Sequence, residues 1–160
     1  VKINSDYNDL LRLFDELGVR YLIAGSYAVM KYTEPIWSKD IDLWIDPVPE
    51  NAAKVFDSLR RFGAPTGSLS VSDLTDPTTI FQIGVDGNRI DIMTAVPGLT
   101  FEEAWGRRGT FLMSDVGSPV LSVEDTLAAS RASNRPKDRA RVRALEKAIE
   151  MRSGLPTKKR

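Results

Sequence analysis

Leu10, Leu11, Phe14 and Leu17 recur at helical spacing behind a polar start at Ser5, and Gly18 follows, so the pattern predicts a helix over 5–17 stopped by that glycine. The short apolar run 20–24 reads as a buried strand. Gly25-Ser26 then opens a second helix over 27–32, closed before Pro35. Positions 40–46 alternate acidic and apolar residues, with Trp44 breaking the acidic series, and read as a strand ended by Pro47 and Pro49. Ala52, Val55, Phe56 and Leu59 define a helix over 51–62 capped by Gly63. Pro65, Gly67 and Pro77, among several Ser and Thr, mark 64–78 as loop. Residues 79–85 and 88–94 form a predicted hairpin around Asp86-Gly87.

Farther along, 101–105 makes a short helix and 110–113 a strand. Ser122 starts a helix, with Asp125 close to a capping-box position. A last helix spans 137–151, its apolar stripe on Val142, Leu145, Ala148 and Ile149, and Gly154 and Pro156 end it. The elements predict an α+β fold: a mixed β-sheet of four to five strands, with flanking helices and a C-terminal helical pair. Residues 1–155 are expected to form one domain, and 156–160 a disordered basic tail.

The strand at 40–46 carries the first chemistry. Side chains alternate across a strand, so Asp40 and Asp42 share one face while Ile41, Leu43 and Ile45 point into the core. Asp91 lies on the later strand 88–94, with Ile90 and Ile92 on the opposite face. If the two strands are neighbours, three carboxylates converge, a costly arrangement that hard cations such as magnesium relieve. Asp86 is explained instead by its turn. Gly25-Ser26, between a strand end and a helix start, presents N–H groups and a hydroxyl of the kind that bind phosphate, although such a pair also serves as a plain helix cap.

Composition narrows the chemistry further. The 160 residues contain no Cys and no His, which excludes thiol nucleophiles, imidazole bases and Cys/His zinc sites. The zero net charge hides a polarity: residues 131–160 hold eleven Lys/Arg against three Asp/Glu, and the remainder is correspondingly acidic. That basic end is either a phosphate-binding surface or a solvated helix and tail. No apolar run approaches the roughly 18 residues of a membrane span, and no signal peptide is evident, so a cytoplasmic protein is expected.

The order of these motifs resembles the DNA polymerase β-like nucleotidyltransferase superfamily. Gly25-Ser26 is followed by Asp40-Ile41-Asp42-Leu43, and later by Arg89-Ile90-Asp91-Ile92. Arg135-Pro136-Lys137-Asp138 is similar to a C-terminal motif of the small single-domain branch that includes abortive-infection toxin-type proteins. The resemblance implies the nucleotidyltransferase fold and transfer of a nucleotidyl group from an NTP to a hydroxyl of RNA, protein or a small molecule. Asp40 and Asp42 would ligate two Mg2+ (or Mn2+) ions, and Asp91 the catalytic one. Gly25 and Ser26 would hold the phosphates, joined by Lys39, Arg131 and Lys137, with Asp138 capping the last helix. It also implies a toxin with an antitoxin partner. Ser130 stands where the family pattern has a phosphate-binding Lys, which leaves open a second reading: an inactive module that binds nucleotide, RNA or a partner protein.

Overall fold

The computed structural model describes residues 4–34, 40–85, 87–112 and 115–154. Helix α1 (Ser5–Leu17) has the expected bounds. The Asn4 side chain accepts from the Asp6 N–H at its start, and Gly18 closes it with φ 68°. Strand β1 (Tyr21–Ala24) is buried throughout and runs directly into α2 (Gly25–Tyr32), so that helix begins at the Gly-Ser pair itself. Strand β2 (Ile41–Ile45) follows, then α3 (Pro49–Phe62). Pro49 thus opens a helix besides ending a strand, because the first helical position needs no N–H donor.

The loop 64–78 contains a 3-10 turn at Asp73–Thr75 that buries Leu74 against the core. Strands β3 (Ile80–Ile83) and β4 (Ile90–Met93) form the expected antiparallel hairpin, and Asp86 at its turn lies outside the described residues. Helix α4 (Phe101–Gly106), strands β5 (Gly109–Phe111) and β6 (Ser118–Val120), and helices α5 (Val123–Ser133) and α6 (Pro136–Arg152) complete the order. Met113 and the tail from residue 155, including the segment expected to be disordered, also lie outside the described residues.

Among the described residues the sheet is mixed and has six strands in the order β3-β4-β2-β1-β6-β5, one more than the upper expectation. The unforeseen strand is β6. It is three residues long with Pro119 at its centre, a pattern that reads as a turn. It is held by parallel pairing with β1, where the Leu121 N–H donates to the Ile23 carbonyl at 3.1 Å, and by antiparallel pairing with β5.

Two apolar layers flank the sheet. On one side Ile23, Ile41, Leu43, Ile45, Ile90 and Ile92 pack against α1 and α3. On the other, Leu22, Ala24 and Trp44 pack with Val96, Phe101, Ala104 and Leu121. A third cluster of Val29, Val123, Leu127 and Leu145 joins α2 to the C-terminal helical pair. Of the stripe expected on the last helix, only Leu145 is fully buried, and Val142 and Ile149 are half-buried.

Candidate nucleotide and metal site

Strands β2 and β4 are adjacent and parallel, and their register places Asp42 directly beside Asp91. Neighbouring strands lie about 4.8 Å apart, and residues in register point to the same face. The two carboxylates therefore meet. Asp42 shares a hydrogen bond with Asp91, and its carboxyl is pushed up to about 6. Burial is the main cause, followed by the negative charge of Asp91 and that shared bond, with Arg141 and Lys137 pulling the other way.

Asp40 sits just before β2 on the same side. Its Oδ1 accepts from the Gly87 and Arg89 N–H groups, both at 2.9 Å. The Arg89 guanidinium lies between the acids: Nε is 2.7 Å from Asp91 Oδ1, and Nη2 is 3.1 Å from Asp91 Oδ2 and 3.7 Å from Asp40 Oδ2. All three aspartates line one cleft of about 640 Å³. Among the described residues, however, no three acidic side chains already converge on one point as a metal shell. Arg89 supplies the positive charge that the crowded acids require. The donor set, hard carboxylate oxygens without Cys or His, fits magnesium or manganese. A cation held by Asp91 would have to displace Arg89.

Gly25 shows why glycine stands at that position. Its φ is +60°, and a Cβ there would lie 2.0 Å from Asp42 Oδ2. The turn from β1 into α2 thus brings backbone against a carboxylate oxygen, a close approach open only to glycine. Ser26, next in line, accepts a hydrogen bond on Oγ from Arg141.

The cationic wall comes from the start of α6. Asn134, left-handed at φ 47°, turns the chain out of α5, and Pro136 opens α6. Asp138, only 2% exposed, accepts from the Arg135 N–H at 3.1 Å, from Arg135 Nε at 3.0 Å and from Ser133 Oγ. Burial alone would raise its pKa, but these hydrogen bonds hold it below the usual carboxylate range. Asp138 therefore caps the helix, as expected. Lys137 lines the cleft, as does Ser130.

Arg131 is a correction. It does not line the cleft. Arg131 is exposed, pairs with Glu146 at 3.3 Å, and borders an adjoining outer groove of about 330 Å³ with Arg135, Arg139 and Arg143. A helix turns about 100° per residue, so Arg131 points away from the cleft that Ser130 lines, although both border the outer groove. Lys39 lies outside the described residues.

Two charged cleft residues escaped the sequence reading, Arg89 and Arg141. The signals were present. Arg89 precedes Asp91 by two residues, hence the same strand face, and Arg141 follows Lys137 by four, hence the same helix face. Met93, Val96, Pro97 and Leu121 give part of the remaining wall an apolar surface.

No protein-family model and no curated protein sequence matches the chain. Solved structures do. The lincosamide antibiotic adenylyltransferase LnuA, in its lincomycin-bound form, aligns with a TM-score of 0.58 at 16% identity, over 92% of this chain and 99% of that one. The antibiotic-resistance factor ANT(2'')-Ia aligns with a TM-score of 0.51 at 13% identity, over 94% of this chain and 92% of that one. With the sheet order and the flanking helices, these alignments give the chain the DNA polymerase β-like nucleotidyltransferase fold.

Proposed function

We propose that this protein transfers a nucleotidyl group from a magnesium-bound NTP, or its manganese equivalent, to a hydroxyl of an acceptor. The observation that carries this reading is the register of Asp42 with Asp91 beside the glycine that opens α2. That juxtaposition sets two carboxylates, of a kind that would suit a hard cation, against backbone N–H groups and a hydroxyl suited to phosphate. Asp40 and Asp42 would hold two cations, and Asp91 would share the one nearest the attacking hydroxyl and draw off its proton. Bound cations would supply the charge stabilisation of an in-line displacement. Gly25, Ser26 and Lys137 would position the phosphates, and the apolar wall would receive the base.

The acceptor is open among three classes. LnuA, a lincosamide adenylyltransferase, points to a small hydroxylated molecule. The resemblance to toxin-type proteins points to RNA or protein, with an antitoxin as partner. Arg89 favours a second reading, in which the module binds nucleotide without turnover, because its guanidinium holds both Asp40 and Asp91.

The test is binding and transfer with labelled NTPs, with and without magnesium, on RNA, protein and antibiotic acceptors. The parent should bind NTP only with the metal and label one acceptor class. Asp42→Asn should fold and lose transfer by roughly a hundredfold to a thousandfold, the scale of a lost several-kcal/mol charge interaction. Magnesium-dependent binding without labelling of any acceptor supports the inactive module. Transfer by Asp42→Asn within a few-fold of the parent sinks the catalytic role of the acids.

A further inference from the structure

We propose that Arg141 is the residue that grips the polyphosphate tail of the nucleotide, so that the site reads the number of phosphates. This rests on the reading of the cleft as an NTP site and goes beyond it by assigning a residue that no motif marked.

The Arg141 side chain is 12% exposed, although it belongs to a helix whose other arginines point outward. Nη2 donates to Ser26 Oγ, across 115 residues of sequence. Nη1 lies 3.5 Å from Asp138 Oδ1, and Asp138 is itself 2% exposed. Burial pulls the guanidinium below its ordinary pKa, against Asp138 and Asp42, which favour its charged form. The cation therefore sits at the start of α2 within electrostatic reach of Asp42, beside the place where the phosphates of the proposed nucleotide would lie.

A buried guanidinium is costly unless its hydrogen bonds are satisfied. It carries five N–H donors, and the bonds to Ser26 and Asp138 engage two of them. Asp138 is already committed: its Oδ2 serves Ser133 and Arg135. The remaining N–H donors belong to a side chain that lines the cleft, and a guanidinium can pair with two phosphate oxygens. The Ser26 hydroxyl is a neutral acceptor, and a phosphate oxygen in the same place makes a stronger, charge-assisted bond. Lys137, one helical turn before Arg141 on the same face, lines the same cleft. A chain of linked phosphates meets both cations, whereas a monophosphate held by metal at Asp42 and Asp91 leaves Arg141 with Ser26.

The experiment is titration calorimetry of the parent, Arg141→Ala and Arg141→Gln with magnesium tripolyphosphate, ATP and AMP. Tripolyphosphate lacks a base, so it probes the tail alone. Arg141→Ala should weaken tripolyphosphate and ATP by about tenfold to a hundredfold, the worth of a hydrogen bond to a charged group, and AMP by less than about twofold. Arg141→Gln keeps the stem and one donor toward Ser26, so it carries the comparison if the alanine variant fails to fold, with the same expected loss. Equal weakening of AMP and tripolyphosphate makes Arg141 a structural group and overturns the proposal. Unchanged binding in variants of a parent that binds all three overturns it while leaving the nucleotide site intact. A parent that binds neither ATP nor tripolyphosphate overturns the nucleotide site, and this proposal with it.

Discussion

Asp42 sits beside a second acid with little water to separate the charges, and its stability consequence has a definite sign. The folded-state pKa is raised to about 6, above the unfolded carboxylate near 4. The folded protein therefore holds this proton more tightly than the unfolded chain. The resulting stabilisation is complete below about pH 4 and is lost as the pH rises to about 6. Without divalent metal, the melting temperature of the parent should fall across that window relative to Asp42→Asn, which has no proton to lose. A difference of about 1 kcal/mol corresponds to roughly 2–4 °C for a chain of this size. Magnesium at neutral pH should restore the parent and leave the variant nearly unmoved. Parallel pH profiles would show that folding does not raise the affinity of Asp42 for its proton.

Helix α6 sorts the positive charges of the C-terminal segment into two populations. Lys137 and Arg141 face the cleft, one turn apart. Arg139 and Arg143 face the adjoining outer groove with Arg131, and among the described residues neither Arg139 nor Arg143 has an acidic partner. The alternative of a solvated helix describes exposed Arg131 and Arg135, which pair with Glu146 and Asp138, but not Arg141, which is 12% exposed. Lys137→Ala should therefore lower magnesium–NTP affinity by about tenfold at low salt. That difference should shrink as salt is raised, because Lys137 is exposed and its charge is screened. Arg131→Ala should bind NTP within about twofold of the parent, as expected for an exposed ion pair worth little. Calorimetry over a salt series measures both, and a loss at Arg131 equal to that at Lys137 would place the nucleotide over the outer groove.

Across the molecule, one face of the sheet is shared between chemistry and packing. Asp40 and Asp42 are followed on the same side of β2 by Trp44, which leaves the cleft and joins the apolar layer with Phe101, Ala104 and Val96. The Trp44 and Phe101 rings meet edge to face, with centroids 5.2 Å apart. Trp44, Phe101 and Ala104 support the strand that carries the acids from behind the cleft wall. Trp44→Ala should cost about 3–5 kcal/mol in denaturant unfolding. Trp44→Phe should cost less than about 1.5 kcal/mol, because the indole N–H is buried and has no acceptor among the described residues. An alanine variant as stable as the parent would show that the second layer is dispensable.

The sequence by itself determined what local physics controls. The bounds of α1, the stops at Gly18 and Gly63, the Ser122 cap and the β3–β4 hairpin follow from periodicity and from caps that act within a few residues. So does the common facing of Asp40 and Asp42, because alternation along a strand needs no partner. The tertiary structure decided the rest. That β4 lies parallel beside β2, setting Asp91 against Asp42, is a pairing across 49 residues that no local pattern encodes. Strand β6 exists because β1 and β5 offer it ladders on both sides, although its own three residues have little strand character. Which arginine enters the cleft is likewise a matter of packing. The left-handed Asn134 and the burial of Leu145 set the direction and rotation of α6, turning Arg141 inward and leaving Arg131, on the helix before the turn, outside. Charge can be counted along a chain, but its direction is known only once helices are packed against one another.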